Sequence, residues 1–109
     1  MSDNIAAGDW IEIHDYADLH RAARERADEL GISREDIDHV GGLTPRHARK
    51  ILSPHPSKYF GPKSLSAVLI KSLALRLILV KDAEAEAELR KKFTPRREEQ
   101  VRHRAQAPA

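Results

Sequence analysis

Residues 41–52 read GGLTPRHARKIL, and within them Arg46, His47, Arg49 and Lys50 crowd into five positions with no acid among them. Side chains of these types make charge-assisted hydrogen bonds to phosphate oxygens, and an arginine fork matches the two acceptors on a guanine edge. Thr44 followed by Pro45 reads as a helix start. Threonine is a good N-cap, and proline at the next position gives up only an N–H that the helix would leave unpaired. On a helix over 44–52, Ala48, Ile51 and Leu52 form an apolar stripe. Arg46 and Lys50 then point the opposite way, with His47 and Arg49 on the flanks. Such a helix aims its N-terminus and its cations at a polyanion, and duplex DNA is a dense one.

Other chemistries find less support. The chain has no cysteine, which excludes disulfides, thiol catalysis and cysteine-based zinc sites and is compatible with a reducing cytosol. His14, His20, His39, His47, His55 and His103 show neither HxxxH nor HExxH spacing, so no metal site is expected. Arg49 and His55 are six apart, as in the Arg–His pair of some helical ribonucleases, but Pro54 between them should end the helix first. No carboxylate pair or nucleophile completes a catalytic set. The glycines lack a GxGxxG or GxxxxGK setting and read as structural. No catalytic residue and no cofactor is assigned.

The elements that must position the cations follow from periodicity. Tyr16, Leu19, Ala23, Ala27 and Leu30 recur at helical steps, with Asp15 as N-cap and Gly31 as stop. Ser33 and Asp36 open a second, shorter helix whose inward residues are Ile37 and Val40, and Gly41-Gly42 ends it. After the cationic helix, residues 53–63 form a proline-broken loop. A fourth helix over about 64–73 buries Leu65, Val68, Leu69 and Leu73. Residues 10–14, WIEIH, alternate apolar and polar, and residues 75–81, LRLILVK, are rich in aliphatic side chains, so both read as short strands. A lone hydrophobic strand needs a partner, and pairing between 75–81 and either 10–14 or a symmetry mate is a route to a homodimer.

Bulk properties set the frame. The 109 residues fit one domain plus a tail, and 33% of them are charged against only five aromatics (one Trp, two Tyr, two Phe). That balance suits a small core filled by aliphatic side chains. Net charge is +2, yet the pI is about 9.1, so the placement of charge carries the information. Residues 1–9 read as a flexible N-terminus. The window 65–80 holds Lys71 and Arg76 and is too short to span a bilayer, and no secretory signal is evident. Residues 82–109 form a charged tail, with a short helix and then disorder expected. Between Arg90 and Arg104 it sets seven cations against two acids, enough to follow a DNA backbone as a basic arm.

From Asp15 to about Leu73 the sequence resembles the lambda-repressor-like helix-turn-helix regulators of the Xre or Cro/CI type. The matching elements are the long first helix, GISREDI, GGLT at the turn and ARKIL. The resemblance implies a mainly α, compact four-helix bundle (here with strands at 10–14 and 75–81 near a dimer interface) acting as a dimeric prokaryotic or phage transcriptional regulator. It places Thr44, Pro45, Arg46, His47, Arg49 and Lys50 on the DNA-facing helix, and Ser33 and Arg34 against the DNA backbone. Lys58 and Tyr59, in the following loop, are the other candidates for contact with the DNA backbone. Asp38 departs from the family's small apolar residue, and a carboxylate there must be paired. The N-terminus of the third helix and Lys50 are the expected partners. The resulting expectation is a non-enzymatic, cytoplasmic, nucleoid-associated protein that binds double-stranded DNA as a homodimer, without a membrane. The rival is an antitoxin-type module that also neutralises a protein partner through residues 82–109.

Overall fold

The computed structural model describes residues 9–96, and among these the fold is mainly helical, with no strand. The expectations placed on residues 1–8 and 97–109 lie outside the described residues. After Leu77 the chain divides into two units.

In the first unit, α1 (Tyr16–Leu30) begins and ends where the sequence marks it. The Asp15 carboxylate accepts the Asp18 N–H at 2.9 Å, and Gly31 closes the helix in the left-handed region at φ +70°. The inward face is rotated from the expected one. His20, Ala22, Ala23 and Ala27 are buried, whereas Tyr16 and Leu30 are exposed. Polar tethers explain the rotation. His20 Nδ1 lies 2.7 Å from the Ile51 carbonyl, which can only accept, so this nitrogen carries the proton. Arg24 donates to the Ser53 carbonyl at 3.4 Å and Arg26 Nε to the Leu73 carbonyl at 3.0 Å. Three side chains of α1 thus satisfy carbonyls at or just beyond the ends of later helices, where no intrahelical donor remains.

Ser33 caps α2 (Arg34–Gly41), its hydroxyl accepting the Asp36 N–H at 3.0 Å. Ile37 is fully buried, but Val40, expected inside, is exposed. Gly41 is the last helical residue and Gly42 turns the chain at φ +67°. The two glycines are required for different reasons. A Cβ on Gly41 would stand 3.0 Å from the Ala67 carbonyl oxygen, whereas Gly42 has open space and needs only its backbone freedom.

The third helix is shorter than the sequence suggests. α3 spans His47–Ile51, and Thr44 and Pro45 lie in the turn before it. Arg46, at φ +68°, stands in the left-handed region just ahead of the helix. A five-residue helix has no independent stability. Burial holds it: Ala48, Ile51 and Leu52 are at most 1% exposed, and a fully buried Ile or Leu contributes about 1.5–3 kcal/mol.

α4 (Pro62–Ser64) passes directly into a π-helix (Leu65–Ser72) that packs on α2. The expected inward residues Val68, Leu69 and Leu73 are buried, and Leu65 is half-buried. Ser72 Oγ lies 2.7 Å from the Ala67 carbonyl and 3.2 Å from that of Ile37. It knits the π-helix to α2.

Neither expected strand forms. A ladder needs a neighbour, and the described chain supplies none to either segment. Residues 10–14 are exposed and held at one end, where the His14 N–H donates to Asp18 Oδ2 at 3.0 Å. Leu75 donates to the Leu69 carbonyl at 3.0 Å and rests on the core, and residues 76–81 beyond it are exposed and take up no regular structure.

The second unit contains α5 (Ala83–Arg90), capped by Asp82, whose carboxylate accepts the Ala85 N–H at 2.9 Å. It buries no residue. Ion pairs Glu86–Arg90 and Glu88–Lys91 brace its surface. Among the described residues no helix is long and apolar enough to cross a membrane, and no group of His, Cys, Asp and Glu could hold a metal ion.

Candidate nucleic-acid interface

Asp38 fixes the angle at which α3 leaves α2. Its Oδ2 accepts the Arg46 N–H at 3.0 Å and its Oδ1 the Ala48 N–H at 2.8 Å. Of the two partners expected for this carboxylate, the helix N-terminus is the one found. The side chain is only 7% exposed, and both oxygens are engaged. A buried carboxylate with two backbone donors is well satisfied. The outcome corrects the sequence reading of Thr44 and Pro45. Thr44 is not the N-cap, and the Arg46 and Ala48 N–H groups at the start of α3 meet an internal carboxylate rather than an external phosphate.

The cations around α3 fall into two groups. Arg46 and Arg49 line a shallow cleft of about 170 Å³ together with Arg34, Glu35 and Asp38. Arg34 is half-buried and pairs loosely with Asp28, at 3.6 Å. Because both Asp38 oxygens are engaged by backbone N–H groups, the remaining charged lining of the cleft is three arginines and Glu35. Pro45 lies at the other side of Arg46, in a hollow shared with His39 and Leu43.

The second group acts on His47 through its charge. This imidazole is half-buried, and burial is the main cause that pushes its pKa below the ordinary histidine value. Lys58, Lys50 and Lys63 push in the same direction through their positive charge, and Asp38 opposes them. Three lysines therefore stand close enough to His47 to act on it. Lys63 escaped the sequence reading. Its signal was Gly61-Pro62, a helix start that places the next residue in a first turn.

None of Arg46, Arg49, Lys50, Lys58 and Lys63 forms an ion pair with a described residue; those ion pairs lie elsewhere, chiefly on α1 and α5. The remaining sequence candidates are scattered in role. Ser33 is exposed and serves as the α2 cap, and Thr44 is exposed with its carbonyl accepting the His47 N–H at 3.2 Å. Tyr59 is exposed, and its ring meets Tyr16 and His20 edge-on at centroid distances of 5.8 and 5.7 Å. It belongs to an aromatic cluster over α1. His55 lies beyond the end of α3 and bonds locally to Ser53, at 3.2 Å, so it does not share a helix with Arg49.

Comparison with protein-family models, curated proteins and solved structures finds no match to this chain.

Proposed function

We propose that this chain binds double-stranded DNA in a sequence-specific manner, as a helix-turn-helix regulator of the lambda-repressor-like kind, with α3 entering the major groove. The observation that carries the reading is the set of five cations without an ion pair to a described residue: Arg46, Arg49 and Lys50 at α3, Lys58 in the loop after it and Lys63 on α4. Unneutralised cations on one surface are the electrostatic footprint of a phosphate-binding protein. At 1.5 Å rise per residue α3 is only about 8 Å long, and the major groove is about 12 Å wide. Such a helix fits across the groove floor, and Arg46 and Arg49 are the side chains suited to guanine edges. Arg34, Lys50, Lys58 and Lys63 would hold phosphates, and Ser33 can add its backbone N–H. A cytoplasmic, nucleoid-associated location goes with this role.

The test is selection from a random duplex library, followed by titration of the enriched sequence with wild type and with Arg46→Ala/Arg49→Ala. Enrichment of one motif and loss of preference in the double variant support the reading. No enrichment, or equal binding by Lys71→Ala and by the double variant, overturns it.

One observation favours a second reading for the other unit. α5 buries nothing, and Leu89 and Phe93 stay exposed beside its ion pairs. An antitoxin-type role, in which residues 82–109 fold against a protein partner, accounts for such a helix.

A further inference from the structure

The arginine-lined cleft holds an acid that phosphate binding does not call for. Glu35 lines it together with Arg34, Arg46 and Arg49, and it also lines the adjoining hollow, again with Arg46. Glu35 and Arg46 thus share both depressions. Arg34 has a loose partner in Asp28, at 3.6 Å, whereas the side chains of Glu35, Arg46 and Arg49 form no hydrogen bond or ion pair with a described residue. An ionised carboxylate at this place repels a phosphate. The start of α2 does not depend on it for its dipole, because Asp36 supplies a second acid in the same turn. Asp36 lines neither depression.

We infer that Glu35 is a specificity-determining residue, which accepts a hydrogen bond from the N4 amino group of a cytosine next to the guanine that Arg46 holds. The inference rests on the DNA reading above and names the bases that its surface selects. An arginine only donates, and an ionised carboxylate only accepts. A ligand that satisfies both must offer acceptors and a donor side by side, and phosphate offers acceptors alone. In the major groove guanine presents O6 and N7 to an arginine fork, and cytosine presents its N4 amino group to a carboxylate. Thymine sets the O4 acceptor against the carboxylate and is repelled. Adenine has a donor at N6, but its N7 acceptor beside that donor meets the same carboxylate.

The cytosine belongs to a neighbouring base pair and is not the partner of that guanine. Within one pair, guanine O6 and cytosine N4 are a hydrogen bond apart, about 3 Å, so the two side chains reading them would touch. Glu35 and Arg46 form no ion pair, and they start from different elements, α2 and the turn before α3. Asp38, one turn further along α2 than Glu35, holds the Arg46 N–H at 3.0 Å. One helix therefore carries the first reader and the clamp that positions the second.

The test is selection from a random duplex library with the full chain, run in parallel for wild type, Glu35→Ala and Asp36→Ala. Wild type should enrich a motif with a cytosine next to a guanine, and replacing that cytosine should weaken binding about tenfold, the scale of one mismatched pair. Glu35→Ala should keep the guanine and accept any base at the cytosine position. It should also bind random duplex at least as tightly as wild type, because a negative charge has left a phosphate-binding surface. Asp36→Ala should enrich the wild-type motif. A motif unchanged in Glu35→Ala overturns the inference and leaves the DNA reading standing. Loss of the guanine together with the cytosine also overturns it, because Glu35 then acts on the fold and not on one base. Loss of the cytosine in Asp36→Ala does the same, since any acid at the start of α2 would then serve, and so does a freed position that held a base other than cytosine. A wild type that enriches no motif removes the DNA reading and this inference with it.

Discussion

Asp38 reaches across the turn to Arg46, its carboxylate accepting the Arg46 N–H at 3.0 Å and, through the other oxygen, that of Ala48 at 2.8 Å. One side chain of α2 thereby does the work of the N-cap that α3 lacks. Asp38→Ala leaves two N–H groups without their acceptor, and at least the Ala48 one is buried. The expected loss is about 1–3 kcal/mol of stability, read as a lower urea midpoint. Binding to the selected duplex should weaken as well, because α3 loses its fixed angle. A variant with a raised midpoint and unchanged affinity would remove Asp38 from this role.

Gly41→Ala should destabilise the fold through packing. Its Cβ would press on the Ala67 carbonyl at 3.0 Å, on the Ala67 Cβ at 3.2 Å and on Ser72 Oγ at 3.2 Å. Overpacking of this kind costs about 1–3 kcal/mol. Gly42→Ala should cost about 1 kcal/mol for its positive φ alone. Thermal melts of the two variants separate the causes, because Ser72→Ala should partly rescue Gly41→Ala and leave Gly42→Ala unchanged.

His47 should make the proposed DNA binding depend on pH. Burial and the lysines hold its folded pKa below the ordinary value of 6.5, so the free protein keeps it neutral at pH 7. The unfolded chain takes up a proton first as pH falls through 6.5, and His47 therefore favours the folded state above that pH and loses this contribution below it. Phosphates near His47 would raise its pKa, so the proposed DNA binding should take up a proton and tighten on acidification. Affinity measured from pH 7.5 to 5.5 should rise for the wild type and stay flatter for His47→Gln. Parallel profiles would place His47 away from the DNA.

Lys58→Ala and Lys63→Ala should weaken binding to all duplexes alike. Each should lower the slope of log K against log salt by about 0.9, the share of one phosphate. Base preference should be unchanged, in contrast to Arg46→Ala, which should cost about 1–3 kcal/mol on the preferred site. An unaltered salt slope for Lys63→Ala would remove it from the interface.

Local signals were legible where one residue acts on its own backbone. Asp15, Gly31, Ser33 and Gly42 cap or end their helices as their side chains, or lack of them, dictate. The buried stripe of Ala48, Ile51 and Leu52 was likewise readable from spacing. What failed depended on partners distant in sequence. Thr44-Pro45 looks like a helix start, but the donors belong to Asp38, and the helix waits until His47. The strands at 10–14 and 75–81 have the right composition and no neighbour among the described residues. His20 lies off the apolar spacing of α1, and the Ile51 carbonyl draws it in. The cations were visible in the sequence as a cluster. Their division between an arginine-lined cleft and the lysines that act on His47 depends on the loop and α4, which carry Lys58 and Lys63 within range of its charge.

The left-handed backbone of Arg46 sets durability against recognition at a single position. An L residue held there forgoes up to about 1–2 kcal/mol relative to an unstrained conformer, and glycine would recover part of it. Arg46→Gly is thus expected to melt slightly higher while losing the guanidinium that faces the cleft. A screen that selected only for thermal resistance would therefore drift toward a sturdier molecule that has lost an arginine from the proposed DNA-reading surface.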